Sequence, residues 1–438
     1  MPDGRRTRAS STSSSASGRR APRGVARHGR LRRRGPWRHV IALVAGAMAV
    51  LLVSGVSVAA VAVKTATSGV QTVALGNEDA VKGVDISAIK GGANILLVGS
   101  DERDTGSAVA AGEVEGARND VTILVHISED HSQVTAVSFP RDMMIDVPAC
   151  TGPDGTVYPA ERYVQFNTTY SRGGLSCTTK TVEAMTGLGI YYAGMITFDG
   201  VIEMSNAIGG VDVCVTNNIR DTDSGLQLTA GTHTLQGADA LAFLRTRHGV
   251  GDGSDLARIS SQQVFLSSMM RKIISGGTLG NVTTLYKLAS AALSNMTLSS
   301  TLNSPDTLVQ LALAMNDLSP AGIVFVQYPV IDDPRNPNRV VAATADATTL
   351  NTALKNDTRF TLGDASTGRA SVDDGTAAPT ESAPATTAPS TPAPTEGATG
   401  AASGAASTPA EAPVTTLPST ISGQSAAEAT CSVGSSRR

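Results

Sequence analysis

The pattern of hydrophobic and polar positions divides the chain into parts of different character. A run of 24 residues without a charge covers 40–63, and apolar positions are scarce before it and after about residue 360. At about 1.5 Å per residue, a helix of this length crosses the hydrocarbon core of a bilayer. The pattern predicts a disordered head (1–39), a transmembrane helix (40–63), a juxtamembrane linker (64–90), one folded domain (91–360) and a low-complexity tail (361–438).

Within the predicted domain, strand patterns and helix patterns are mixed. Apolar runs bounded by turn residues predict strands over 93–99, 121–128, 133–139, 211–215, 243–247 and 322–330. The second and third of these strands are predicted to form a hairpin. Apolar positions at helical spacing predict helices over 178–185, 200–207, 235–242, 255–274, 283–294 and 305–316. The expected fold is α/β, with a mixed central β-sheet sandwiched by helices.

Charge distinguishes the two ends of the chain. Residues 1–39 contain twelve Arg, no Lys and one acid, whereas the remainder contains 23 basic and 37 acidic residues, so the net charge of −3 hides a basic head and an acidic body. Arginines before the apolar run, with only Lys64 directly after it, predict a cytoplasmic head and an extracellular domain. The expected localisation is the cell membrane, with a single pass. The acidic body, and a disordered head without a helix-turn-helix, argue against nucleic acid as a partner.

The four cysteines leave the disulfide pattern open. Cys150, Cys177, Cys214 and Cys431 allow three full pairings, and the sequence does not choose among them. An exported domain permits one or two disulfides. Because Cys431 lies in the predicted tail, we expect it to be the odd one, with Cys150 bonded to Cys177 and Cys214 buried and reduced.

Charged residues follow the predicted strands closely. Asp101 and Arg103 come after the first strand, Arg118 and Asp120 open the second, and Arg141 follows the third. Ligands of open α/β sheets gather at strand ends, so we expect these side chains to lie near one another.

Further polar residues extend this set. Arg245 and Arg247 are two positions apart, so on the predicted strand they point to the same side. Arg258 and Gln262 are four apart and share one face of a helix. Arg258 also lies near the start of that helix, where backbone amides favour an anion.

The balance of charge predicts a magnesium–pyrophosphate site. Arginine is suited to forked phosphate contacts, and two carboxylates with phosphate oxygens form a typical Mg²⁺ shell. Asp101 and Asp120 would bind the metal. The residues expected to bind pyrophosphate are Arg103, Arg118, Arg141, Arg245, Arg247, Arg258 and Gln262. A single Arg–Asp pair at a strand end is commonly a surface ion pair, so the prediction depends on convergence of the whole set.

Seven ordered segments resemble the LytR-CpsA-Psr family. They are NILLVGSDER (94–103), ARNDVT (117–122), VSFPRD (137–142), FNTTYSRGG (166–174), GGVDV (209–213), LAFLRTRH (241–248) and DLARISSQQ (255–263). Each segment alone is weakly specific, whereas their order over about 91–275 is specific. The predicted topology of basic head, one span and external domain is similar too.

The resemblance implies a magnesium-dependent phosphotransferase of the Gram-positive cell envelope. Such an enzyme moves a glycopolymer, with its phosphate, from a polyprenyl-pyrophosphate carrier to a hydroxyl of peptidoglycan and releases polyprenyl phosphate. The implied partners are the prenyl-linked glycopolymer, peptidoglycan and membrane lipid. Carried onto this sequence, the resemblance gives Asp120, Arg141 and Asp255 as catalytic residues. Asp255 would orient the arginines or serve as the base.

Other interpretations stay open. With water as the nucleophile, the same site would make the protein a polyprenyl-pyrophosphate phosphatase. A non-enzymatic wall-binding or regulatory membrane protein would use the fold without the chemistry. A serine acyl transferase, based on Ser87 and Lys90, lacks its partner motifs. The apolar faces of 178–185, 200–207 and 258–274 either form ordinary core or line a tunnel for the prenyl chain.

Overall fold

The structure, a computed structural model, describes residues 70–81, 83–100, 118–275, 282–316, 318–363, 367–374 and 414–435. The predicted head and the predicted transmembrane helix lie outside these residues, as do Asp101 and Arg103. Within the described ranges, no helix has the length and apolar character needed to span a bilayer.

The strands of the described residues are short, and most pair with partners distant in sequence. In chain order they are β1 (Gln71–Val73), β2 (Ala93–Ser100), β3 (Asn119–Ile127), β4 (Val134–Phe139), β5 (Met144–Val147), β6 (Cys150–Thr151), β7 (Val157–Tyr158), β8 (Glu161–Gln165), β9 (Tyr192–Ile196), β10 (Val211–Val215), β11 (Ile219–Asp221), β12 (Leu226–Leu228), β13 (Gly231–Leu235), β14 (Met296–Ser299), β15 (Ile323–Gln327), β16 (Val330–Asp333), β17 (Asn336–Ala342), β18 (Phe360–Thr361), β19 (Ser371–Asp373), β20 (Thr415–Thr416), β21 (Gly423–Ser425) and β22 (Thr430–Ser432).

Helices alternate with these strands. In chain order the α-helices of the described residues are α1 (Thr169–Thr186), α2 (Phe198–Ala207), α3 (Ala238–Arg245), α4 (Asp255–Ser275), α5 (Val282–Ser294), α6 (Pro305–Asn316) and α7 (Thr344–Lys355). Short 3-10 turns cover Glu78–Val81, Ile86–Ala88, Phe166–Thr168 and Pro320–Gly322.

The central sheet has eight strands in the order β1-β14-β9-β2-β3-β4-β15-β21. Strands β2, β3 and β4 form antiparallel neighbours, whereas β9 runs parallel to β2 and β15 runs parallel to β4. The sheet is therefore mixed, and the predicted hairpin of β3 and β4 is confirmed. Helices α2, α4, α5 and α6 also lie where helical spacing predicts them, with ends that differ by a few residues.

Apolar side chains cover both faces of the central sheet. On one face, Leu96 of β2 belongs to a buried cluster with Val182 of α1 and Leu350 of α7. On the other face, Ile95 belongs to a second cluster with Leu293 of α5 and further residues of α4 and α6. Because neighbouring residues of a strand point to opposite faces, this alternation gives the predicted sandwich of a sheet between helices.

A smaller sheet, in the order β13-β10-β22-β19, lies beside helix α4. Val211 and Val213 of β10 share a buried cluster with Phe243 of α3 and with Val264 and Phe265 of α4. Other apolar residues of α4 pack against the core of the central sheet. Helix α4 thus connects two cores, which fixes its start relative to both sheets.

The structure differs from the predicted tail (361–438) over residues 367–374, which contain β19, and over residues 414–435. Strand β21 forms an edge of the central sheet against β15, and β22 lies between β10 and β19. Leu417 and Ile421 are buried in the core of the central sheet. These apolar residues end the low-complexity composition and explain why this part of the chain folds.

The disulfides correct one cysteine prediction and confirm another. The bond between Cys150 and Cys177 is present as expected. The expectation that Cys214 is reduced and Cys431 unpaired is wrong, because these two residues form a second disulfide. The parallel pairing of β10 with β22 places them at matching positions of neighbouring strands.

Two further predictions fail for identifiable reasons. The strand predicted over 243–247 is wrong, because helix α3 continues to Arg245 and buries Phe243. Thr246 then has an extended backbone without forming a strand. The described residues of the predicted linker (64–90) also contribute to the fold, since β1 pairs with β14 and both Val81 and Ile86 are buried.

Candidate active site

A cavity of about 420 Å³ lies against the end of the central sheet where β3 begins. Strands β2 and β3 and helices α2, α3 and α4 supply its walls. Its apolar lining comes from side chains along these elements: Leu97, Ile123, Phe198, Val201, Met204, Leu241, Leu244, Phe265, Leu266 and Met269. Its charged lining comes mainly from residues at element ends and in loops: Asp120, Arg141, Asp221, Asp223, Arg245, Arg247, His248 and Arg258.

Asp255 joins two of the lining arginines. It is the first residue of α4, where a negative charge is favoured by the free backbone amides. Its Oδ1 lies 2.6 Å from Nη2 of Arg258 and 3.5 Å from Nε of Arg141. Its Oδ2 accepts a 3.1 Å hydrogen bond from the backbone amide of Arg141. The buried Asp255 therefore fixes the end of β4 against the first turn of α4.

Asp120 completes the network from the neighbouring strand. Its carboxylate accepts a 2.7 Å bond from Nη1 of Arg141. Its backbone carbonyl accepts a 2.9 Å bond from Nη2 of Arg258. Three elements, β3, β4 and α4, thereby place two guanidinium groups and a carboxylate at one wall of the cavity.

The pKa values of the two arginines shift in opposite directions, although burial lowers both. For Arg141, burial opposes the charge, but Asp120 and Asp255 together raise the pKa. For Arg258, burial lowers the pKa, and the repulsion by Arg141 adds to that effect against the attraction of Asp255. Both guanidinium groups remain protonated at neutral pH. The Nε atoms of Arg141 and Arg258 are buried without a hydrogen-bond partner among the described residues, as expected where an anionic ligand supplies acceptors.

Arg245 and Arg247 reach the same cavity by a route that differs from the predicted strand. Arg245 ends α3, and its guanidinium lies 4.6 Å from the ring centroid of Phe198. Arg247 follows the extended Thr246, and its Nε donates to the carbonyl of Gly253. The extended residue between them lets both side chains line the cavity although no strand is formed.

Gln262 extends the site by one turn of α4. It lies four residues after Arg258, and both residues line the cavity, as their helical spacing predicts. The Nε2 of Gln262 donates a 2.8 Å hydrogen bond to the carbonyl of Leu244. Gln262 therefore ties α4 to the end of α3.

The structure brings together most of the residues predicted for the site. Those that line the cavity are Asp120, Arg141, Arg245, Arg247, Arg258 and Gln262, and Asp255 contacts two of them. Arg118 is exposed directly before β3 and does not line the cavity. Asp101 and Arg103 lie outside the described residues, so their predicted roles stay predictions.

The predicted magnesium site has one carboxylate in the described part of the chain, Asp120. No group of three or more His, Cys, Asp or Glu side chains suited to a metal occurs within the described ranges. Ser100, the last residue of β2, pairs with Asn119. The predicted partner of Asp120 in binding the metal, Asp101, lies outside the described residues, so the magnesium site stays a prediction.

Two residues that the sequence pattern does not assign to the site help to hold it in place. Asn119 is buried, donates from Nδ2 to Oγ1 of Thr122 at 3.0 Å and accepts at Oδ1 from the backbone amide of Tyr170. A polar residue beside Asp120 at the start of an apolar strand was a usable signal for it. Asp221 also lines the cavity, but the partners that tie it to the loop after α3 follow about 25 residues later and leave no local pattern.

The two interpretations of the apolar helix faces apply to different helices. Helices α2 and α4 line the cavity with apolar side chains, including Val201, Met204 and Met269. Helix α1 packs on the opposite face of the central sheet, where Val182 belongs to the other core. The predicted tunnel lining therefore fits two of the three helices, and α1 is ordinary core.

Comparison with known proteins gives a consistent result. A family profile described as the LytR_cpsA_psr family matches residues 58–356. The cell wall biosynthesis protein LcpA of Corynebacterium glutamicum is 30% identical over 322 residues, which cover 67% of this chain and 60% of LcpA. The polyisoprenyl-teichoic acid–peptidoglycan teichoic acid transferase TagT of Bacillus subtilis is 29% identical over 242 residues, covering 53% of this chain and 70% of TagT.

A solved structure is also similar. The LytR-Csp2A-Psr enzyme from Actinomyces oris matches with a TM-score of 0.45 and 24% identity, over 60% of this chain and 90% of that one. The match to LcpA means that this chain spans about six tenths of the length of that relative.

Proposed function

The chain belongs to the LytR_cpsA_psr family, and from this membership we propose that it transfers a glycopolymer, with its phosphate, from a polyprenyl-pyrophosphate carrier to a hydroxyl of peptidoglycan. The names of two relatives support the proposal. TagT is named as a teichoic acid transferase that acts on peptidoglycan, and LcpA as a cell wall biosynthesis protein.

The observation that carries the proposal is the composition of the cavity lining. Apolar side chains of α2 and α4 and charged side chains at the ends of β3, β4 and α3 line one cavity. A prenyl pyrophosphate combines a hydrocarbon chain with a compact anion, and its two parts match the two kinds of lining. A carrier of this class therefore fits the cavity better than a purely polar substrate.

The reaction transfers a sugar phosphate between two oxygens. The oxygen of the acceptor hydroxyl attacks the phosphorus that bears the sugar, and a new P–O bond forms. The bond from that phosphorus to the bridging oxygen breaks, polyprenyl phosphate leaves, and the hydroxyl proton passes to a base or to water. Arg141, Arg245 and Arg258 would neutralise the charge on the phosphates in the transition state.

The carboxylates have separate tasks in this proposal. Asp255 is buried between Arg141 and Arg258 and does not line the cavity, which supports a positioning role over that of a base. Asp120 lines the cavity, and with Asp101 it would hold Mg²⁺. The metal, when bound, would polarise the phosphate oxygens and acidify the attacking hydroxyl.

The proposed location follows from the same substrates. A prenyl carrier is held in the membrane, so an enzyme anchored by a helix over 40–63, with its domain outside the cell, would meet the carrier at the bilayer surface. The proposed partners are the prenyl-linked glycopolymer, peptidoglycan and membrane lipid.

The test uses the full chain in detergent or vesicles, with Mg²⁺ and a prenyl-pyrophosphate-linked saccharide, with and without peptidoglycan fragments. We expect release of prenyl phosphate together with a new sugar-phosphate link to the glycan. The variant Arg141→Ala should lose transfer, whereas Arg162→Ala, an exposed arginine outside the cavity, should retain it.

The products separate the candidate activities. Prenyl phosphate released to water alone, even with peptidoglycan fragments present, would make the protein a phosphatase. If the protein neither binds the prenyl-linked saccharide nor releases prenyl phosphate, this result would contradict both enzymatic functions and favour a wall-binding role.

A further inference from the structure

Two loops that line the cavity meet at a single buried carboxylate. Asp221 is the last residue of β11 and is 4% exposed. One loop is the turn between β11 and β12, which contributes Asp223 and Ser224 to the lining, and the other follows α3 and contributes Arg247.

The carboxylate of Asp221 is saturated with donors. Its Oδ2 accepts bonds from Oγ1 of Thr246 at 2.7 Å and from the backbone amides of Arg247, His248 and Gly249 at 2.8, 2.9 and 3.2 Å. Its Oδ1 accepts bonds from the backbone amides of Asp223 and Ser224 at 3.0 and 3.3 Å. Bonds from neutral donors to an ionised acceptor are stronger than bonds between neutral groups.

Close packing restricts the conformation of the loop that follows α3. A Cβ added to Gly249 would lie 3.0 Å from Cβ of Asp221 and 2.9 Å from Cγ2 of Ile219. The close approach of this loop to β11 requires glycine, and the carboxylate holds the backbone at that distance. Burial opposes the charge of Asp221, but the hydrogen bonds outweigh it and lower the pKa to about 2. The group is therefore ionised under all ordinary conditions.

We propose that Asp221 is a positioning residue for the transfer reaction, which holds Arg247 toward the pyrophosphate by ordering the loop after α3. The inference rests on the proposed function, since it assigns Arg247 to the carrier. Asp221 itself binds no substrate. It acts through the backbone amide of Arg247, and the Nε bond from Arg247 to Gly253 then limits the direction of the side chain.

Removing the charge of Asp221 while keeping its shape tests this assignment. In Asp221→Asn, an NH₂ group replaces one carboxylate oxygen. This donor then faces the backbone amides that donated to that oxygen, so their hydrogen bonds are lost. We expect kcat/KM for the prenyl-linked donor to fall about 10- to 100-fold, as for other residues that orient a binding group. Affinity for farnesyl pyrophosphate, measured by calorimetry, should fall together with it.

A double-mutant cycle separates positioning from a general structural effect. If Asp221 acts through Arg247, then Asp221→Asn added to Arg247→Ala should cause little further loss. Thr246→Val removes one of the bonds without changing charge and should give a smaller loss in the same direction. Asp212→Asn is the matched control, because that exposed carboxylate accepts from Thr234 and does not line the cavity.

The outcomes distinguish this inference from the proposed function. Wild-type activity in Asp221→Asn, or losses that multiply in the double variant, would overturn the role of Asp221 alone. A wild-type protein that neither transfers nor binds farnesyl pyrophosphate would overturn the proposed function and this inference together. If Asp221→Asn does not fold, the cycle is carried out with Thr246→Val, and full additivity there contradicts the inference.

Discussion

At the scale of residues, two arginines of the cavity differ in what holds them. Arg258 is buried and paired with Asp255, whereas Arg245 is exposed and lies against the ring of Phe198. Removing one partner of a buried ion pair leaves the other uncompensated, at a cost of about 3 kcal/mol or more. The same truncation at an exposed position leaves no buried charge unpaired.

We therefore expect Arg258→Ala and Arg245→Ala to differ in stability but not in activity. Both should lower transfer at least about 100-fold, the usual effect of losing one group that stabilises developing charge. Thermal unfolding should show a Tm lower by about 5 °C or more for Arg258→Ala and nearly unchanged for Arg245→Ala. Equal losses of Tm would contradict the difference in burial described above.

A second prediction concerns the pH dependence of stability at Asp221. Its pKa in the folded protein is about 2, below its usual value near 4. The ionised carboxylate therefore stabilises the fold above about pH 4, and this contribution is lost as the pH falls toward 2. The difference in unfolding free energy between wild type and Asp221→Asn should be about 2 kcal/mol at pH 7 and should shrink between pH 4 and pH 2. A difference that stays constant with pH would refute the charge effect.

The residues of the site were predictable in proportion to how local their signals are. Arg141 lies two residues after a strand and Arg258 lies in the first turn of a helix, so their positions in the sequence predicted that both lie near one anion. The shared direction of Arg245 and Arg247 was predicted from a strand, whereas the structure has the end of α3 there, and both side chains line the cavity. The role of Asp221 was unpredictable, because four of its six donors belong to residues 246–249, which only the tertiary structure brings to β11.

At the scale of elements, helix α4 makes different contacts on three of its faces. One face carries Arg258 and Gln262 into the cavity, and a second packs into the cores of both sheets. The third contacts the C-terminal strands through buried hydrogen bonds, among them the 2.7 Å bond from Nε2 of Gln424 to Oγ of Ser267. The position of the site therefore depends on strands far along the chain.

Gln424→Ala tests this third face. Gln424 is fully buried, and its loss leaves Ser267 and Thr430 without their partner. We expect the unfolding free energy in urea to fall by about 2 kcal/mol. Gln227→Ala, on an exposed position of β12, is the control and should be nearly neutral. If the two variants are equally stable, these bonds contribute nothing to the packing of α4.

At the scale of the whole molecule, the sandwich was predictable and the C-terminal strands were not. The hairpin of β3 and β4 and the helices α4 to α6 have strong periodic patterns of apolar residues. Strands β20 to β22 contain two or three residues each, too few to show a period, and follow a long low-complexity stretch. Their partners lie up to about 220 residues away in sequence.

The two disulfides should differ in their effect on global stability. The bond between Cys214 and Cys431 closes a sequence separation of 217 residues, and that between Cys150 and Cys177 closes 27. In the chain-entropy description the longer loop contributes about 5 kcal/mol and the shorter about 3.5 kcal/mol. Urea unfolding of paired Cys→Ser variants should show the larger loss for Cys214 and Cys431. The reverse order would mean that local packing, rather than loop closure, decides their contribution.

The insertion of β22 between β10 and β19 also sets an order in time. A ribosome makes β10 long before β22, so during synthesis β10 waits with an unpaired edge until the segment 414–435 has emerged. Helix α4 and its arginines are also synthesised well before the C-terminal strands that pack against that helix. The newly made protein should therefore acquire its site as one of its last folding events, and a chain released early would carry every residue of the site without the arrangement that uses them.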